Sequence, residues 1–102
     1  MVFPYSVQWL TVGEGELCQV MTVAPKRKFK HAVDRNRVRR LTRECYRLRK
    51  HTLYEFLQER DLHLVFSMVY VHNEIMTCEQ LGHKMDKLLA ALEADIKTKL
   101  EL

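Results

Sequence analysis

The side chains best placed to do chemistry in this chain are arginines and lysines, and the chemistry they suit is binding of a polyanion. Twelve of the seventeen Lys/Arg residues fall between Lys26 and Lys50, in the run KRKFKHAVDRNRVRRLTRECYRLRK. Only Asp34 and Glu44 oppose them, so this stretch is strongly cationic while the rest of the chain is acidic, and the net charge of +4 hides the asymmetry. Arg35, Arg39, Arg43 and Arg47 recur every fourth residue, which on a helix makes one row. A solvated helix face normally mixes signs; like charges at i,i+4 repel by about a few tenths of a kcal/mol per pair. A row of arginines is therefore better explained by an anionic partner. Guanidinium groups meet phosphate bidentately, and cations laid along phosphates release condensed counterions. The candidate nucleic-acid contacts are Arg35, Asn36, Arg37, Arg39, Arg40, Arg43 and Arg47, with Lys26, Arg27, Lys28 and Lys30 from the segment before them. Asn36 has a second reading, as a brace for the helix start.

The remaining reactive residue types do not assemble into a catalytic pattern. His31, His51, His63, His72 and His83 show no metal-binding spacing with the cysteines or acids. Carboxylates are scattered, and no glycine-rich phosphate loop, nucleophile elbow or triad pattern occurs. Cys18, Cys45 and Cys78 are odd in number and far apart, which fits reduced thiols better than a disulfide framework. Neither catalytic residues nor a metal site made of protein is expected.

The elements that must carry the basic face follow from periodicity. Phe3 to Val12 places Phe3, Tyr5, Val7 and Trp9 on one parity and reads as a strand. Gly13 to Glu16 is a turn, and Leu17 to Val23 resumes the extended pattern, so these two strands are expected to form a hairpin. Pro25 ends the second strand, and Lys26 to His31 is a basic loop. A helix then starts near Ala32 to Asp34 and runs through the fifties, with Val38, Leu41, Cys45 and Leu48 as its apolar stripe and the Arg35 row opposite. Leu62 to Val71 is almost continuously apolar and reads as a central strand buried on both faces. Thr77 and Gln80 form a capping-box pattern ahead of a second long helix. That helix is marked by Leu81, Met85, Leu88, Leu89, Leu92 and Ile96 and ends near Leu100; Gly82 weakens its first turn by roughly 1 kcal/mol relative to Ala. The order β-β-α-β-α over residues 1–102 is one α+β domain, a small sheet with packed helices. A crossover between parallel strands is right-handed by default.

The segment Ala32-Val33-Asp34-Arg35-Asn36-Arg37-Val38-Arg39-Arg40-Leu41-Thr42-Arg43-Glu44 closely resembles the signature of the bacterial ribonuclease P protein family. The pattern is a basic loop, a small-apolar pair, Arg-Asn-Arg, an apolar residue, two basic residues, Leu and a further Arg. The likeness continues through Cys45 to His51, and the downstream strand and amphipathic helix fit as well. The resemblance implies the family fold, in which a left-handed βαβ crossover holds the Arg-Asn-Arg helix. It implies a cytoplasmic protein whose partners are a catalytic RNA and precursor tRNA, working together to remove the 5′ leader. Mg²⁺ is then held mainly by the RNA, which supplies the active site. Among the arginines, the resemblance gives Arg35 and Arg37 the greatest weight. It also places Val7 and Trp9 near the leader cleft, where an aromatic ring can stack on an unpaired base. Phe29 in the basic loop is a third candidate for leader contact. Each has a plainer reading: Trp9 as core, Phe29 as a staple for the helix start. Other family members carry a short aromatic helix ahead of the first strand, and this chain is expected to lack it.

Three other functions compete. A structural RNA binder, such as a ribosomal or assembly protein, would show RNA affinity without any effect on cleavage. A DNA-binding helix would usually need a dimer, and no coiled-coil seam is present, so no DNA partner is expected. A membrane-surface helix needs a larger apolar face than the core requires. There is no run of about 18 apolar residues and no basic n-region leading into a long apolar stretch, so neither a membrane partner nor a signal peptide is expected.

Overall fold

The computed structural model describes residues 2–101; the terminal Met1 and Leu102, counted above in the single domain, lie outside the described residues. The elements are β1 (Tyr5–Val12), β2 (Cys18–Val23), α1 (Ala32–Arg49), α2 (His51–Glu59), β3 (His63–Tyr70) and α3 (Cys78–Lys99). Together they form a three-stranded mixed sheet with three helices, an α+β arrangement.

The expected hairpin does not form. β3 lies between β1 and β2, so the sheet order is β1-β3-β2. β1 runs antiparallel to β3, from Tyr5 opposite Tyr70 to Val12 opposite His63; β2 runs parallel to it, from Cys18 opposite Leu64 to Val23 opposite Val69. The turn after β1 crosses the end of β3 instead of folding back beside β1. It is held there by the Leu64 amide, which donates to the Leu17 carbonyl at 3.0 Å. The span is only two strand spacings, about 10 Å, well within the reach of five residues. Gly15 supplies a positive φ of 118° at the bend. The most continuously apolar strand takes the centre, and the parallel β2–β3 pair requires the long connection that α1 and α2 provide.

β3 is central but not buried on both faces. Leu64, Phe66, Met68 and Tyr70 are buried under the helices, while Val65, Ser67 and Val69 on the other face are half-exposed. Tyr5, Val7 and Trp9 share the helix-covered face; Gln8, Leu10 and Val12 share the bare one. All the helices therefore lie on one side of the sheet.

The long basic helix departs from its expected form in two ways. It is interrupted at Lys50, so α1 and α2 are separate segments, although Leu53, Phe56 and Leu57 of α2 continue the buried face of α1. The buried residues of α1 are Val38, Thr42, Cys45 and Tyr46, whereas Leu48 is 56% exposed. Relative to the apolar stripe, the helix is rolled by roughly 60°, at ~100° per residue. Two polar-looking residues take the inward positions because each finds a partner there. Thr42 Oγ1 lies 2.7 Å from Tyr5 Oη, and Tyr46 Oη lies 3.3 Å from Cys18 Sγ.

α3 follows its pattern closely. Leu81, Met85, Leu88, Leu89, Leu92 and Ile96 are all buried. The capping box is complete: the Gln80 amide donates to Thr77 Oγ1 at 3.2 Å and the Thr77 amide to Gln80 Oε1 at 3.1 Å. Gly82 has a positional reason beyond helix propensity. A Cβ there would collide with the Arg49 guanidinium, which crosses α3 at this point to pair with Asp86 (Nε to Oδ1, 3.1 Å).

Candidate nucleic-acid interface

The interface begins in the segment between β2 and α1, which is a compact turn and not a loose loop. The Pro25 carbonyl accepts from the amides of Lys28 (3.1 Å) and Phe29 (3.2 Å). Phe29 is only 7% exposed and packs against the Tyr70 ring at 5.8 Å, so it anchors the turn in the core. Burial of that one ring leaves Lys26, Arg27 and Lys30 exposed, with Lys28 half-buried. The Phe29 ring is thus packed in the core against β3 and is not displayed at the surface.

The arginine row on α1 does not stay on one side of the helix. Each i+4 step advances about 40° around the axis. With the helix rolled as described, Arg35 sits beside the buried face, Arg39 is half-buried, and Arg43 and Arg47 are exposed. The four are therefore not equivalent. The Arg35 Nη1 atom donates to the carbonyls of Phe29 (2.9 Å) and Lys30 (3.1 Å). Arg39 donates to Asn36 Oδ1, so Asn36 braces a neighbouring arginine and does not cap the helix. The N-cap is His31, which makes no side-chain cap bond. Arg47 pairs with Glu44 (Nε to Oε2, 3.2 Å); that bond holds the Glu44 carboxyl below its usual range and pushes the Arg47 guanidinium further up. Both groups are exposed, so the pair is easily exchanged for another partner. Arg37, Arg40 and Arg43 are exposed and make no hydrogen bond or ion pair with the described residues. Together with Lys26, Arg27 and Lys30 they are the charges most available to an anion.

The bare sheet face is a second surface, and its residues were not singled out by the sequence. Leu10 is 54% exposed, Met21 is 58% exposed, and Val12 and Val23 are also exposed. The register sets Leu10, Val65 and Gln19 in one row across the strands and Gln8, Ser67 and Met21 in the next. Leu10 and Val65 of the first row and Gln8, Ser67 and Met21 of the second line a shallow depression of about 220 Å³, together with atoms of Trp9 and Phe66 between the rows. Val7 and Trp9 lie on the opposite, helix-covered side, in a groove of about 310 Å³ against Leu88, Ala91 and Leu92 of α3. Trp9 Nε1 donates to Asp95 Oδ2 at 2.6 Å, which ties the edge strand to the end of α3. Of the three candidates for leader contact, none projects from the bare face. The available signal was the other parity of β1, where Leu10 and Val12 are apolar residues that the core does not use.

Among the described residues no group of three or more His, Cys, Asp or Glu side chains gathers to hold a metal ion. No helix of the described residues is long and apolar enough to cross a membrane. What remains is an exposed cationic turn and helix beside a bare, partly apolar sheet, a combination suited to nucleic acid.

Comparison with known proteins agrees with that chemistry. The family model described as Ribonuclease P matches residues 4–93. The ribonuclease P protein component of Porphyromonas gingivalis strain W83 is 32% identical over 98 residues, covering 94% of this chain and 72% of the relative. The corresponding protein of strain ATCC 33277 is 38% identical over the same coverage. No solved structure matches. With a family match across most of its length and relatives above 30% identity, the chain belongs to the ribonuclease P protein family.

Proposed function

We propose that this chain is the protein subunit of a ribonucleoprotein that removes the 5′ leader from precursor tRNA, acting in the cytoplasm. Family membership carries the reading, and the distribution of charge supports it. Six exposed cations, Lys26, Arg27, Lys30, Arg37, Arg40 and Arg43, are grouped on the turn and helix that bear the family signature. Their role is to neutralise phosphates of the catalytic RNA, which makes binding strongly salt-dependent. The half-buried Arg35 and Arg39 with Asn36 border that surface, and Lys28 and Arg47 complete it.

The bare sheet face suits the single-stranded leader. Leu10, Met21 and Val65 offer apolar contact to bases, while Gln8, Gln19 and Ser67 offer hydrogen bonds to base edges and sugar hydroxyls. β2 leads from this face directly into the basic turn after Val23, so one continuous strand connects the two surfaces. Chemistry at the scissile phosphate, with the Mg²⁺ ions it needs, is assigned to the RNA. The protein contributes positioning and charge neutralisation.

The test is leader removal from a precursor tRNA by a bacterial ribonuclease P RNA at low Mg²⁺, with and without the chain. Strong stimulation is the expected result. Tight RNA binding without stimulation would restrict the chain to a structural RNA-binding role, and neither binding nor stimulation would overturn the reading.

A further inference from the structure

Arg35 stands apart from the other arginines of the signature. It lies beside the buried side of α1, and one of its terminal nitrogens serves two backbone carbonyls of the preceding turn. Those carbonyls, of Phe29 and Lys30, flank the point where the chain leaves the basic turn and enters the helix. Among the described residues the helix start has no other side-chain clamp of this kind, because His31 provides no side-chain cap. On the far side the turn is fixed by the buried Phe29 ring against Tyr70. Two anchors therefore hold the turn: an aromatic ring in the core and a guanidinium from one turn along the helix.

From this geometry we infer that Arg35 is a positioning residue. Its main contribution to RNA binding is to hold Lys26, Arg27 and Lys30 in register with Arg37, Arg40 and Arg43, not to present its own charge. The inference rests on the RNA-binding reading and assigns one residue a role within it. The physical basis is the difference between the two cationic side chains. Guanidinium holds its donors in a rigid plane and can serve two acceptors from one nitrogen; the lysine ammonium is a compact, strongly hydrated point charge on a flexible stem. A residue that worked by charge alone would tolerate lysine.

Arg35→Lys separates the two roles because it keeps the net charge. Binding of a bacterial ribonuclease P RNA is measured against salt for the wild type and for Arg35→Lys and Arg35→Ala. Amide hydrogen exchange over residues 28–31 is followed in the free proteins. The expected result is that Arg35→Lys weakens binding by about tenfold, the usual effect of losing charge-assisted hydrogen bonds, and nearly as much as Arg35→Ala. Its salt slope should also fall, by roughly one to two, as turn cations disengage although no charge has been removed. Exchange at Lys28 and Phe29, whose amides donate to the Pro25 carbonyl, should quicken while the melting temperature stays close to that of the wild type. Wild-type affinity and slope in Arg35→Lys would overturn the inference, as would weaker binding with an unchanged slope. The exchange measurement needs no RNA, so unchanged protection at Lys28 and Phe29 would also overturn it, even if the wild type failed to bind and the subunit reading fell with it.

Discussion

The Tyr5 and Thr42 hydroxyls meet at 2.7 Å inside the core, joining the edge strand β1 to the middle of the arginine helix. Both residues are essentially inaccessible, so neither hydroxyl can turn to water. The bond explains why Thr42 displaces Leu41 from the centre of the buried face. Thr42→Val keeps the shape but leaves the phenol without its partner, and the expected cost is about 1–3 kcal/mol of stability. Tyr5→Phe should be milder in the Thr42→Val background than alone. A double-mutant cycle by urea denaturation measures the coupling; additive losses would show that the hydroxyl pair contributes nothing.

Buried phenols also make stability depend on pH at the alkaline end. Burial pushes Tyr5, Tyr46 and Tyr70 above the usual tyrosine range, and the Cys18 and Cys45 thiols above theirs. With folded pKa values above unfolded ones, the folded chain retains protons that the unfolded chain releases. The stability they contribute is complete below about pH 8, begins to fall as the thiols pass about 8.5, and falls more steeply above about 10. Urea midpoints measured from pH 7 to 11 should show this two-stage decline. Cys18→Ser with Cys45→Ser should remove the first stage and leave the second.

Gly82 and Arg49 make a coupled pair across the helices. Gly82→Ala gains about 1 kcal/mol in helix propensity. It also drives the Arg49 guanidinium from its seat, with loss of the partly exposed Asp86 pair, worth at most ~1 kcal/mol. The net change in stability is therefore expected to lie near zero. The informative measurement is Asp86→Asn, which should cost stability in the wild type and nothing in the Gly82→Ala background. Equal costs in both would show that Arg49 keeps its position when a methyl group is added.

The exposed arginines should behave differently from the core-linked ones. Arg40→Ala and Arg43→Ala remove charges that have no partner among the described residues, so melting temperature should not change. Under the proposed function each should reduce the slope of log affinity against log salt by about 0.7–0.9. A full slope in either variant would place that residue outside the RNA contact.

The parts of the molecule that were legible in the sequence are those where one physical demand dominates. Leu81 to Ile96 repeats with helical period under a complete cap, so the buried face of α3 follows directly. The cationic character of Lys26 to Lys50 is likewise a matter of residue type. What was not legible depended on partners distant in sequence. Thr42 and Tyr46 read as polar until Tyr5 and Cys18 are placed opposite them. The separation of β1 from β2 follows from competition for β3, which lies forty residues further on and has the strongest claim to the centre. β1 carries apolar residues on both parities, Val7 and Trp9 on one and Leu10 and Val12 on the other. Alternation alone cannot say which of these meets the helices.

That ambiguity of parity supplies the most discriminating experiment on the leader surface. If single-stranded RNA lies on the bare sheet face, Met21→Glu places a negative charge beside its phosphates without disturbing the core, since the Met21 side chain is already mostly exposed. Leader-dependent affinity should fall by about tenfold or more, the effect of a like charge in place of an apolar contact. Affinity for precursor lacking the leader should stay near that of the wild type. Trp9→Phe loses the bond to Asp95 and should loosen the end of α3, but it lies on the covered side and should leave leader-dependent affinity intact. The opposite pattern, with Trp9→Phe losing leader recognition and Met21→Glu retaining it, would move the leader to the groove between β1 and α3. The comparison is decisive because the two residues lie on opposite faces of the same thin sheet, so a contact with one excludes an equal contact with the other.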